Sequence, residues 1–144
     1  MTCIAFDGKT LAGDKRSTVA GQIMTTTKIF RVNGELVGFS GDAAHCAEAL
    51  NWIRGGCEPS KYPEELRNRD KMINTLVIRK NGEVWRFEDS PHPYQVFGRF
   101  HAIGGGSDFA LAAMHLGKNA VEAVEVAIAL NNGCGNGVDT LTLD

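Results

Sequence analysis

The sequence predicts an α+β fold of mainly antiparallel sheets layered under helices. Two observations carry this. Asp7-Gly8, Asn33-Gly34 and Asn81-Gly82 each stand between two runs of strand-forming residues, the signature of a β-hairpin. Helical segments come in separate blocks rather than alternating with single strands, so βαβ units are not expected. The 144 residues, 43% of them hydrophobic, suffice for one buried core, and residues 1–144 read as a single domain.

The elements follow in order. TCIAF and KTLAG flank the first turn, KIFRV and ELVGFS the second, NTLVIRK and EVWRFE the third. Asp-Gly and Asn-Gly tolerate positive φ at both central positions, as a two-residue type I′ turn requires. Asp42 is placed to N-cap a helix ending at Arg54, with Ala47, Leu50 and Ile53 on one face and Gly55-Gly56 as its stop. Residues 55–72, charged and holding two of the four prolines, read as a surface connection. Another turn is expected around Pro91 and Pro93. Ser107 or Asp108 caps a second helix with Ala110, Leu111 and Met114 inward and Gly117 at its end. Asn119 opens a third, with Glu122 in the capping-box position and Val121, Val124 and Ile128 apolar. A last strand, VDTLTL, follows the loop NNGCGNG.

Composition removes several classes of function. A net charge of -2 gives no electrostatic basis for binding nucleic acid or an anionic membrane. No apolar run reaches spanning length, and no basic segment followed by an apolar one marks a signal peptide, so a cytoplasmic protein is expected. Cys3, Cys46, Cys57 and Cys134 form no C-x-x-C pair and read as free thiols. A zinc site from His45, Cys46, Cys57 and another histidine is disfavoured, because the adjacent helical residues His45 and Cys46 point to different sides. GCGNG lacks the Lys-Ser/Thr of a phosphate loop and precedes a strand. No metal and no cofactor are expected.

The chemistry centres on Thr2. A hydroxyl is a weak nucleophile until a base takes its proton. If Met1 is removed, the freed Thr2 amine is such a base, with an ordinary pKa of about 7.7–8.0. A lysine ammonium nearby favours the deprotonated amine and hydroxyl, a carboxylate holds that lysine in place, and a backbone N–H stabilises the oxyanion. Lys28 in TTKIFRV, Asp14 in LAGDKRS and Gly41 in GFSGDAA are the candidates. Gly41 lies where a strand turns into a helix, a setting that favours an anion.

This set, in this order, resembles the N-terminal-threonine (Ntn) hydrolases, the proteasome β-subunits and bacterial HslV-type peptidases. The resemblance rests on Thr2, AGDKRS, TKIFRV, GFSGDAAHCAEAL, AIGGGSDFALAAM and LNNGCGNGVD, and spans nearly the whole chain, 56–72 least. It implies a four-layer αββα sandwich. It implies Thr2 as nucleophile and base, Asp14 and Lys28 as the charge pair and Gly41 as oxyanion donor. Arg16 would be structural beside Asp14, and Ser17, Thr18 and Phe39 would line the peptide cleft, Phe39 favouring apolar side chains. The implied partners are copies of the chain in a homo-oligomeric ring, a peptide or unfolded-protein substrate, and an AAA+ unfoldase. The family pattern has Ser where this chain has Gly105, Asp at Asn131, and Ser or Thr at Cys134. Those departures motivate an alternative, a catalytically impaired ring or scaffold subunit. A further alternative is an Ntn amidase acting on a small molecule. Retention of Met1 would block the mechanism outright.

Overall fold

A computed structural model describes residues 1–143. In chain order the strands are β1 (Ile4–Phe6), β2 (Thr10–Asp14), β3 (Arg16–Val19), β4 (Gln22–Thr25), β5 (Ile29–Val32) and β6 (Glu35–Ser40). They continue as β7 (Asn74–Ile78), β8 (Val84–Phe87), β9 (Tyr94–Val96), β10 (His101–Ile103) and β11 (Val138–Thr142). The helices are α1 (Ala43–Arg54), α2 (Ser107–His115) and α3 (Ala120–Leu130). One sheet has the order β10-β1-β2-β11, a second β5-β6-β7-β8-β9, and β3-β4 form a separate ribbon. All pairings between these strands are antiparallel.

Strand alternation sorts the core into three interlayer spaces. Ile4, Phe6, Leu11, Ile29, Leu36, Leu76 and Ile78 fill the space between the two sheets. On the far side of the first sheet, Cys3, Ala5 and Ala12 meet Ala110, Ala113, Ala120, Ala123 and Ala127 of α2 and α3. Small residues on both surfaces let helix and sheet approach closely. On the far side of the second sheet, Val37, Phe39 and Val77 pack against Leu50, Trp52 and Ile53 of α1. The result is the αββα sandwich, with α2 and α3 outside one sheet and α1 outside the other.

Several elements differ from the sequence reading. Of the three predicted turns, Asn33-Gly34 alone has positive φ at both central positions, joining Val32 directly to Glu35. At Asp7-Gly8 only the glycine is left-handed. The Asp7 carboxylate takes the N–H groups of Lys9 and Thr10, so a side chain closes a wider loop. At 79–83 a longer loop closes through Arg79 and Glu83, again with only Gly82 left-handed. The β3–β4 ribbon turns at Ala20-Gly21, both left-handed, and carries no Asn-Gly signal. Strands β9 and β10 are too short to show a period. Asp42 caps α1 as expected, its Oδ1 accepting from His45 N–H at 3.1 Å. Ala47, expected inside, is exposed. Gly106, not Ser107 or Asp108, is the N-cap of α2, without a side-chain bond. Leu111 is exposed while Ala110 and Met114 are buried. Asn119 and Glu122 form the capping box of α3, whose inward face centres on Val124, with Val121 and Ile128 at its margin. The connection after α1 contains three short 3-10 turns and buries Leu66.

Candidate active site

The first hairpin folds Asp14 back beside the start of β1. Asp14 N–H donates to Cys3 O at 3.0 Å, and Cys3 N–H donates to Asp14 Oδ1 at 2.9 Å. The other oxygen, Oδ2, accepts from Arg16 N–H and Gly135 N–H, both at 3.1 Å. Asp14 is 1% exposed, and these donors are what make a buried carboxylate tolerable. Its charge partner is Lys28, at the entry to β5, whose Nζ lies 2.9 Å from Asp14 Oδ1. Lys28 Nζ also donates to Thr2 Oγ at 3.2 Å and to Met1 O at 3.0 Å. Thr2, Lys28 and Asp14 therefore form one buried, hydrogen-bonded chain.

Thr2 is held from the other side by the glycine-rich turn before α2. Gly106 N–H donates to Thr2 O at 3.0 Å. Gly104 has φ +96°, and a Cβ there would run into the Thr2 carbonyl. Arg16 reaches across to the late loop, donating from Nε to Asn136 Oδ1 at 3.1 Å and from Nη1 to Asn132 O at 2.9 Å. A Cβ on Gly135 would stand 2.7 Å from that guanidinium. The late loop thus serves the site through the Gly135 N–H, the Asn132 carbonyl and the Asn136 side chain.

A cleft of about 600 Å³ opens at Thr2. Ser17, Thr18, Phe39 and Gly41 line it, together with Met1, Thr26, Thr27, Phe30, Cys46 and Leu50. Phe30 and Phe39 meet edge to face at 6.0 Å, giving the cleft an apolar end. Gly41, between β6 and α1, has φ +126°. A Cβ there would stand 2.9 Å from Ile73 Cγ2 and 3.0 Å from Ile73 Cα, so the close approach requires glycine.

The remaining sequence candidates divide. Asn131 Oδ1 accepts from Gly133 N–H at 2.8 Å and shapes its own loop. Cys134 is buried among the α2–α3 residues, and burial pushes its thiol pKa up. Cys3 is pushed up to about 12, by burial first and then by Cys134 and Asp14 nearby. Neither thiol is a ready nucleophile. Gly105 faces Met1, not a hydroxyl partner. Sequence reasoning missed the N–H groups of Cys3 and Gly135, the close approach at Gly104, and the contacts of Met1. The crowding of glycines at 104–106 and 133–137 was the available signal. Among the described residues no cluster of His, Cys, Asp and Glu could hold a metal ion, and no helix is long and apolar enough to cross a membrane.

No family model and no curated protein matches the chain. Solved structures do. HslV from Trypanosoma brucei superposes with a TM-score of 0.75 over 99% of this chain and 98% of its own, at 17% identity. The chain has the HslV-type fold. BPH from Thiobacillus denitrificans in complex with epoxomicin matches over 100% of both chains, with a TM-score of 0.71 and 19% identity. BPH without the inhibitor gives 0.68 at 18% identity, over 100% of this chain and 99% of that one. The HslV-type fold accounts for the two sheets between helical layers.

Proposed function

We propose that this chain is a threonine-type peptidase subunit whose nucleophile is Thr2, exposed by removal of Met1. The observation that carries the reading is the buried Thr2–Lys28–Asp14 chain at the mouth of an apolar-ended cleft. The Thr2 amine takes the Oγ proton, and Oγ attacks the substrate carbonyl carbon. The Gly41 N–H receives the oxyanion. The C–N bond then breaks, the departing nitrogen takes the proton from the Thr2 amine, and an ester on Oγ remains. Water hydrolyses that ester with the amine again as base, restoring Thr2. The Lys28 ammonium lowers the cost of negative charge on Oγ, while Asp14 fixes its position. The HslV-type fold supports assembly into a homo-oligomeric ring, with peptides or unfolded protein as substrate and an AAA+ unfoldase as partner.

Intact-mass analysis tests this directly. Protein from its native host should lack Met1 and gain the mass of one epoxomicin on incubation, as the T. denitrificans protein binds it. Thr2→Ala should take no adduct and lose all cleavage of a small apolar peptide. Unchanged cleavage by Thr2→Ala would sink the assignment. A second reading, a non-enzymatic ring subunit, is favoured by the docking of Met1: its carbonyl accepts from Lys28 and its side chain rests on Gly105 and Gly133. Retained Met1 in native protein, with no adduct, would select it.

A further inference from the structure

Arg16 is a cation with only neutral acceptors. Its guanidinium has five N–H donors. Nε donates to Asn136 Oδ1 and Nη1 to Asn132 O, so five donors less these two leave three. Among the described residues no carboxylate forms an ion pair with it. Asp14, two residues back, takes the Arg16 backbone N–H, and its charge is matched by Lys28. The guanidinium also lies against Gly135, where a Cβ would stand 2.7 Å from it. Two bonds and this contact hold the group at the border of the large cleft, which Arg16 lines. Cys134 senses the charges of Lys28, the Met1 amine and Arg16 together, so all three stand in one neighbourhood.

The proposed reaction gives this charge a role. The Thr2 amine must pass its proton to the departing nitrogen, which has to come within about 2.6–3.2 Å of it. Met1 is attached at that amine's nitrogen. Its side chain lies against Gly133, next in sequence to the Asn132 carbonyl that holds Arg16. The departing part of the substrate therefore begins in the neighbourhood of Arg16. Met1 is 61% exposed and lines the same cleft, so this end is open and discriminates by charge, not by size. The exposed acid of the cleft, Asp42, belongs to the α1 wall, where it accepts from His45 N–H. We propose that Arg16, once Met1 is removed, binds a carboxylate on the departing part of the substrate. Two sources share that chemistry: an acidic side chain next to the scissile bond, or the free C-terminal carboxylate of a last residue. A guanidinium can offer either one two parallel N–H bonds. The inference rests on the peptidase reading and adds a preference for acidic leaving groups to it.

The test uses Met1-trimmed protein, verified by mass, and two pairs of peptides alike on the acyl side, their cleavage followed by mass spectrometry. In the first pair the departing segment begins with aspartate or asparagine and ends in an amide. In the second a single alanine departs, as free acid or as amide. The carboxylate member of at least one pair should exceed its neutral partner about tenfold or more in kcat/KM, as a hydrogen bond to a charged group allows. The pair that shows it identifies the source. Arg16→Gln should bring that ratio close to one, chiefly by raising KM for the carboxylate peptide, and Arg16→Lys should keep part of it. Where the variants fail to fold, salt decides: going from about 0.01 M to about 1 M should compress the ratio in the unaltered protein. No preference in either pair, a ratio unmoved in folded Arg16→Gln, or, without a folded variant, a ratio unmoved by salt overturns this inference and leaves the peptidase reading standing. Trimmed protein that cleaves none of the peptides and takes no epoxomicin overturns both.

Discussion

At the scale of single residues, the site is built from groups that are costly to bury alone. Asp14 and Lys28 are both nearly inaccessible, and each is tolerable because the other is there and backbone N–H groups complete the carboxylate's shell. The cysteines beside them behave differently. Cys3 has an ordinary pKa of 9.0 when exposed and about 12 in the fold. The folded state holds it as the neutral thiol while the unfolded chain ionises. Its contribution is intact below about pH 9 and is lost as pH climbs toward about 12. Urea midpoints should therefore hold level up to about pH 9 and fall above it. Cys3→Ala should fall less steeply, and an identical slope would remove Cys3 as the cause.

At the scale of elements, the turn from β6 into α1 is the most constrained joint of the site. Gly41→Ala forces a Cβ toward Ile73 at a left-handed φ. The expected cost is about 1–3 kcal/mol of stability, read from the urea midpoint. Displacing its N–H should also reduce kcat by about 10²–10³. Wild-type stability in this variant would show the strain to be absent. Elements with strong local signals were legible in the sequence: Asn33-Gly34, the Asp42 cap and the Asn119–Glu122 box stand where their chemistry puts them. Those fixed by distant partners were not. β10 is three residues long and exists because it pairs with β1. Gly106 caps α2 while its N–H is bonded to Thr2, a contact more than a hundred residues away in sequence. The candidate site was legible in Thr2, Asp14, Lys28 and Gly41 because a known order of motifs singled them out. The approach of Gly105 and Gly133 to Met1 was not, since only folding brings residues 1, 105 and 133 together.

At the scale of the whole molecule, the β3–β4 ribbon stands apart from both sheets. It leaves Val19, Ile23 and Met24 exposed at 53%, 60% and 42%. A two-stranded ribbon is marginal without support, and its first strand also lines the cleft through Ser17, Thr18 and Val19. The ring reading predicts that neighbouring copies supply that support. Sedimentation should give a mass several times the 15.5 kDa chain. Ile23→Glu should shift the protein to smaller species and lower peptidase activity with it. A monomer that cleaves peptides at full rate would contradict the ring.

Lys28 carries a consequence for what removal of Met1 would expose. An ammonium has three hydrogens, and Met1 O, Thr2 Oγ and Asp14 Oδ1 together accept all three. Taking Met1 away removes one acceptor and leaves a donor facing the cleft, where water or a substrate carbonyl can accept it. On the peptidase reading, trimming thus exchanges an internal bond of Lys28 for one offered to the cleft.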